Sequence, residues 1–204
     1  MKLYEKVFYF ISGHGRGWAF SSSDLIKKFD RQQIDSTLSD LSKNKKIRRI
    51  ARGIYDYPKY SDFLQKELSP DIDQVARAYA RKFNWRIEVS GDSALNLLNL
   101  STQIQAKYIY LSDGPNKSYK ILENITLEFK KSALKDIGFK YKESSLIVQA
   151  LKALGKDHIT SKTIHKIKEQ IDSKMYDKIL KDTQSTTGWI YETIKQICKE
   201  DTDE

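Results

Sequence analysis

Residues 45–58 read KKIRRIARGIYDYP, and few stretches of this chain leave the backbone so little choice. Ile47 and Ile50 can turn inward with Arg48 and Arg49 outward, Ala51-Arg52-Gly53 supplies a turn, and Ile54-Tyr55-Asp56-Tyr57 returns as a second strand. Pro58 has no amide hydrogen to give a ladder and stops it. A lone two-stranded hairpin is at best marginally stable in water, so this one must lean on other elements. Lys45, Lys46, Arg48, Arg49 and Arg52 crowd onto the first eight residues of the stretch. Such cations repel one another in the free protein, and the repulsion is relieved when they meet phosphates and release counterions.

The preceding residues supply the support. In KLYEKVFYFI, Leu3, Val7, Phe8 and Ile11 fall on one helical face, and the glycines of SGHGRGW end that helix. This loop follows a helix and lacks the Lys-Ser/Thr of a P-loop, so we read it as a turn rather than a phosphate cradle. FSSSDLIKKF predicts a short second helix with Leu25, Ile26 and Phe29 inward. DRQQIDSTLSDLSKNK predicts a third, capped by Asp30, with a narrow apolar stripe of Ile34, Leu38 and Leu41. Its other face carries Arg31, Gln32, Gln33, Ser36, Thr37, Ser39, Asp40 and Lys43, whose side chains suit base edges and phosphates. Three helices and then a basic hairpin is the order of a winged helix-turn-helix, with the third helix in the major groove and the hairpin along the backbone.

The charge distribution agrees. Residues 1–60 hold 13 Lys/Arg against 6 Asp/Glu, and residues 61–204 hold 23 against 21, so most of the net +9 sits in the first third. A basic part joined to a near-neutral one points to a polyanionic partner for the former. The chain is 39% hydrophobic and 31% charged, which excludes a disordered protein, and no apolar run is long enough to span a bilayer. Glu5 and Lys6 interrupt the N-terminal apolar run and no small-residue cleavage site follows, so we expect no secretory signal and a cytoplasmic location. A single cysteine, Cys198, allows no internal disulfide and no cysteine-based zinc site.

Beyond residue 60 the pattern is mixed. Residues 61–70 read as a connector, and Pro70-Asp71 opens a helix with Ile72, Val75, Ala76, Tyr79 and Phe83. RIEVSG, AKYIYLSDG and SYKILENITLEFKK predict strands, DSALNLLNLS and ESSLIVQALKALG helices, and the last fifty residues are helical in pattern. The expected fold class is α+β, divided into a winged helix-turn-helix at 1–60, a connector at 61–70 and a C-terminal domain at 71–204. That domain has a small mixed sheet, packed helices and a helical tail from about 144 to 200.

Two stretches carry a family resemblance. LSDLSKNKKIRRIARGIYDYP at 38–58 is similar to the leucine-rich third helix, basic strand, Arg-Gly and aromatic-proline pattern of the AbiEi-like antitoxins of type IV toxin–antitoxin systems. SGDSALNLLNLSTQIQAKYIYLSDGP at 90–115 resembles their Gly-x-x-Ala-Leu-x-x-Leu segment and following strand. The resemblance covers about a quarter of the chain. It implies an autorepressor that binds double-stranded operator DNA through its winged helix. It also implies an antitoxin that counters a nucleotidyltransferase-like toxin through its C-terminal domain, without a stable complex. Carried over by position, the binding face falls on Gln32, Gln33, Ser36, Thr37 and Lys43, and the wing on Arg48, Arg49 and Arg52, beside Arg31, Lys45 and Lys46. No cofactor, metal or membrane partner is expected.

Other readings compete with this one. Asp113 followed by Glu128-Phe129-Lys130 on a strand has the order of a restriction-type nuclease metal site. His14, His158 and His165 form no metal set by spacing, and Cys198 shares an apolar helical face with Ile194 and Ile197. Trp189 and Tyr191 read as core rather than as a base-stacking platform. Ile164, Ile167 and Ile171 could dock on a toxin or a second copy, or pack on the chain's own sheet.

Overall fold

The computed structural model describes residues 2–101, 107–122, 125–132 and 138–199. The resemblance stretch at 90–115 includes 102–106, and residues 123–124 and 200 fall in an expected strand and in the tail; these lie outside the described residues. The fold is mixed α+β. In chain order it runs α1 (Leu3–Gly13), β1 (Ala19–Phe20), α2 (Arg31–Lys43), β2 (Arg48–Ala51), β3 (Ile54–Asp56), β4 (Tyr60–Ser61), β5 (Lys66–Glu67), α3 (Ile72–Phe83) and β6 (Ile87–Val89). Then follow α4 (Gly91–Leu97), β7 (Lys107–Ser112), β8 (Lys117–Ile121), β9 (Ile125–Lys131), α5 (Lys142–Leu154), α6 (Ser161–Glu169), α7 (Tyr176–Asp182) and α8 (Gly188–Ile197). The strands make three sheets, ordered β1-β3-β2, β4-β5 and β6-β7-β9-β8. Among the described residues no helix is long and apolar enough to cross a membrane.

The chain forms two compact units, Met1–Ile87 with Ser118–Leu127, and Glu88–Lys117 with Glu128–Glu204. In the first unit, Val7 and Ile11 of α1 meet Phe20, Leu25, Ile47 and the stripe Ile34, Leu38 and Leu41 of α2, with Leu3, Phe8, Phe29 and Tyr55 packed around them. The expected second helix is a single 3₁₀ turn, Ser22–Asp24. Three serines are weak helix formers, and Asp30 starts the next helix by accepting the Gln32 N–H at 2.9 Å, so few residues remain for it. Ile26, expected inward, is consequently 42% exposed. The sequence division put α3 in the second domain, but it packs on β1, β3 and the Ser22–Asp24 turn. Arg81 of α3 fixes that packing, donating from Nε to Asp24 at 2.6 Å and from a terminal nitrogen to the Ala19 carbonyl at 2.7 Å.

The second unit is built around α5, in which every residue from Ser144 to Leu151 is buried. Its N-terminus is held by Asp182, whose two carboxylate oxygens accept the N–H groups of Lys140 and Tyr141, each at 3.0 Å. α4 lies against it so closely that a Cβ at Gly91 would come 2.6 Å from Ala153 Cβ. Ile167 and Ile171, with Ile190, Ile194 and Ile197, are buried. The tail thus packs helix on helix, α6 on α8. Cys198 is buried there, and burial pushes its thiol up to about 11, which makes it an inert apolar filler.

Candidate nucleic-acid interface

The α2 helix presents most of the face expected of it. Burying Ile34, Leu38 and Leu41 leaves Arg31, Gln32, Gln33, Ser36 and Lys43 exposed. Thr37 departs from the expectation. It is 8% exposed and donates its hydroxyl to the Gln33 carbonyl at 2.7 Å, so it belongs to the buried side. Ser36 also donates to that carbonyl, at 3.0 Å, but stays at the surface. Two acids share the exposed side, Asp35 and Asp40, and Asp40 lies 3.9 Å from the Lys43 ammonium. Both partners of that pair are well solvated, so water screens the contact and Lys43 remains available.

The helix ends on an unusual residue. The Lys46 N–H reaches back to the Leu41 carbonyl at 2.9 Å and the Lys45 N–H to Ser42 at 3.0 Å, a Schellman closure. The closure needs a left-handed residue, usually glycine, yet Lys45 occupies it with φ at 54°. Lys45 and Lys46 are both exposed, and the Lys46 ammonium stands 5.8 Å from the centre of the Phe8 ring.

The β2–β3 hairpin forms in the expected place, pairing Arg48 with Asp56, Arg49 with Tyr55 and Ala51 with Ile54 around the Arg52-Gly53 turn. A bulge between Arg49 and Ala51 lets both Ile47 and Ile50 face the core. Arg48, expected to face outward, does not. Its guanidinium meets the Asp56 carboxylate through two bonds, 3.1 and 2.6 Å, and donates to the Leu68 carbonyl at 2.9 Å. Asp56 is 1% exposed; burial pushes its carboxyl above the usual range, and the Arg48 hydrogen bond opposes that rise. A buried carboxylate cannot stay charged without a partner, so the nearest strand cation turns inward to serve it. Arg48 is therefore a clamp within the fold. Arg49 and Arg52 remain exposed.

The hairpin tip does not project freely. The Lys82 ammonium of α3 reaches the Arg52 carbonyl at 3.5 Å, and a Cβ at Gly53 would come 2.8 Å from it. Burial, followed by the charge of Arg52, pulls the Lys82 pKa down. The Leu122 N–H donates to the Ile50 carbonyl at 3.4 Å. The glycine loop has no cradle to offer: the amides of His14, Gly15, Gly17 and Trp18 are spent on the carbonyls of Ile11, Ser12, Tyr57 and Gly15.

Two features here are absent from the sequence reading. Lys82 joins the cations at the hairpin tip. More notably, the expected connector contains a second hairpin, β4 paired with β5 through Tyr60–Glu67 and Ser61–Lys66. Its Glu67 lines one open groove of about 520 Å³ together with Ser42 and Lys45 at the end of α2 and Ile47, Arg48 and Arg49 of β2. Its turn has no glycine, asparagine or aspartate at the left-handed position, which Gln65 fills with φ at 50°, so no turn signature marks it.

The residues of the competing readings are engaged elsewhere. Glu128 pairs with the Lys107 ammonium at 2.6 Å. Among the described residues no group of three His, Cys, Asp or Glu is placed to hold a metal ion. His14 stacks on Trp18 with ring centres 3.8 Å apart, His158 contacts the Leu154 carbonyl at 3.0 Å, and His165 lies 3.3 Å from Glu169. Trp189 and Tyr191 are half-buried in α8.

No curated protein matches the chain. A family of unknown function, DUF6088, matches residues 6–179, most of the sequence, and the chain belongs to that family.

Proposed function

We propose that this chain is a duplex-DNA-binding transcriptional repressor whose first unit works as a winged helix-turn-helix, and that it serves as the antitoxin of a type IV toxin–antitoxin operon. The observation that carries the DNA part is local. Lys45 and Lys46 stand exposed just past the end of α2, Arg49 stands exposed on β2 in the groove it shares with Lys45, and the exposed face of α2 bears Arg31, Gln32, Gln33 and Ser36. Long polar side chains suited to base edges thus adjoin cations suited to phosphates. The element order α1, β1, α2, β2, β3, with the sheet ordered β1-β3-β2, also favours a winged helix. Arg48 and Thr37 drop out of the binding set, and Lys82 enters it. The antitoxin part rests on the sequence resemblance at 38–58 and 90–115.

The test is titration of the full-length chain with the duplex upstream of its own reading frame over a series of salt concentrations. With about five phosphate contacts, log K falls against log salt with a slope of about −4 to −5. Affinity that ignores salt, or no binding, rejects the reading. Gln33→Ala should reduce preference for that duplex over random DNA by ~1–3 kcal/mol. The antitoxin role is tested by co-expression with the toxin-like neighbour of the same operon. Growth should recover without co-purification of the two chains, and unrelieved arrest removes that role.

A further inference from the structure

The β4–β5 hairpin carries the most solvent-exposed large apolar side chain in the described protein. Phe63 is 93% exposed, Leu64 49% and Tyr60 45%. Such a cluster is normally buried or covered by a partner. The tip is nevertheless built. The Leu64 N–H donates to Ser61 Oγ at 3.2 Å, the Gln65 amide donates to the Asp62 carbonyl, and the Tyr60 hydroxyl donates to Gln65 at 3.3 Å. These bonds close the turn and hold Phe63 outward. The root is fixed as well, because Arg48 binds the Leu68 carbonyl and lies 3.8 Å from Glu67.

We infer that this hairpin is an apolar wedge that enters the minor groove and unstacks a base step, with Phe63 as the inserting side chain; the inference rests on the duplex-DNA reading above. The surroundings select this partner. Glu67 at the hairpin's root shares its groove with Lys45 and Arg49, the cations offered to phosphates, exposed Lys66 follows the tip, and exposed Lys59 stands at the root, where its carbonyl accepts the Leu68 N–H at 2.8 Å. Within the hairpin Asp62 and Glu67 stand against the single Lys66, and Arg48 lies against Glu67, so the hairpin contributes apolar surface while the grip comes from the end of α2 and β2. Phenylalanine and leucine at such tips open pyrimidine–purine steps, which unstack most easily, and kink the duplex. The hairpin of β2 and β3 cannot play this part, since its tip abuts Lys82.

The experiment uses the full-length chain and a duplex that it selects from a random pool, labelled with 2-aminopurine at TA and CA steps and with a dye pair at its ends. Wild type should raise the 2-aminopurine emission and shorten the end-to-end distance. Phe63→Ala should lose both signals and bind about tenfold more weakly, as removal of one base–aromatic stack does, and Phe63→Leu should keep them in part. Because Phe63 touches almost nothing in the protein, thermal melting should be the same for all three. Binding by wild type without either signal, or Phe63→Ala indistinguishable from wild type, overturns the wedge alone. Absence of any duplex binding by wild type brings down the parent reading together with it. Self-association that Phe63→Ala abolishes while both DNA signals persist gives the tip to a second copy, and overturns the wedge.

Discussion

Two hairpins follow one another within twenty residues and divide between them what a single wing would have. The β2–β3 hairpin holds the cations, but Asp56 captures Arg48 and Lys82 covers its turn. The β4–β5 hairpin is short and holds one lysine against two acids, yet it projects Phe63 almost fully into solvent. The comparison teaches that charge in sequence is not charge at a surface. A buried carboxylate recruits the nearest guanidinium whatever its apparent face, because desolvating an unpaired charge costs several kcal/mol. An apolar side chain on a hydrogen-bonded turn has no such internal claimant.

The largest expected effect lies in the clamp. Arg48→Ala should cost about 3 kcal/mol, because it leaves the Asp56 carboxylate buried without its partner, whereas Arg49→Ala should stay within about 0.5 kcal/mol. Burial already raises the Asp56 pKa above 3.8, and Arg48 opposes the rise, so its loss raises the pKa further. A carboxyl that titrates higher folded than unfolded binds its proton more tightly in the folded state. The stability it contributes is present in acid and declines as pH rises above 3.8 toward the folded value. Denaturant midpoints of Arg48→Ala should therefore fall from weak acid to neutrality more steeply than those of wild type. On DNA the order reverses: Arg49→Ala should weaken all duplexes alike and reduce the salt slope by about 1, whereas Arg48→Ala, where folded, should keep the slope. Equal slopes for both variants would erase the distinction between clamp and contact.

Much of this is legible in the residues, and the larger departures share a cause. The spacing of Ile34, Leu38 and Leu41 predicts the buried stripe of α2, and Gly53 marks the first hairpin turn. Periodicity reports which side of one element is apolar; it does not report what distant residues will do. The burial of Asp56, the bond from Arg81 to Asp24 across 57 positions and the packing of α3 against β1 depend on such partners. Thr37 departs for a smaller reason, since a threonine can satisfy its hydroxyl on its own helix and count as apolar. The second hairpin carries no turn signature because Gln65, like Lys45, adopts a left-handed backbone without glycine.

Lys45 sharpens the contrast at an intermediate scale. Replacing it with glycine should stabilise the fold by about 1 kcal/mol, the usual strain of a left-handed non-glycine residue, since its side chain forms no ion pair among the described residues. The same change removes one exposed cation from the groove shared with Arg49 and Glu67, and should weaken duplex binding while lowering the salt slope. A protein that gains stability and loses affinity at one position retains that strain for its surface. Thermal melting and DNA titration on one preparation read both signs, and a loss of stability would place Lys45 among the residues that hold the fold.

The smallest expected effect is on the folding of the second hairpin. Phe63→Ser should shift stability by no more than about 0.5 kcal/mol, because at 93% exposure the ring has little apolar contact to lose. Gln65→Gly should be equally mild, relieving the left-handed φ of 50° while giving up the side-chain bonds to Tyr60 and Asp62. The two changes separate in what they leave at the tip. Phe63→Ser deletes the exposed ring from an ordered turn, and Gln65→Gly keeps the ring on a turn that has lost two of its side-chain bonds. Amide exchange at Leu64, whose N–H is bound to Ser61, reads that order directly: protection should survive Phe63→Ser and fall in Gln65→Gly. Protection lost in both would mean that Phe63 holds its own hairpin together, and the difference drawn between the two hairpins would then close.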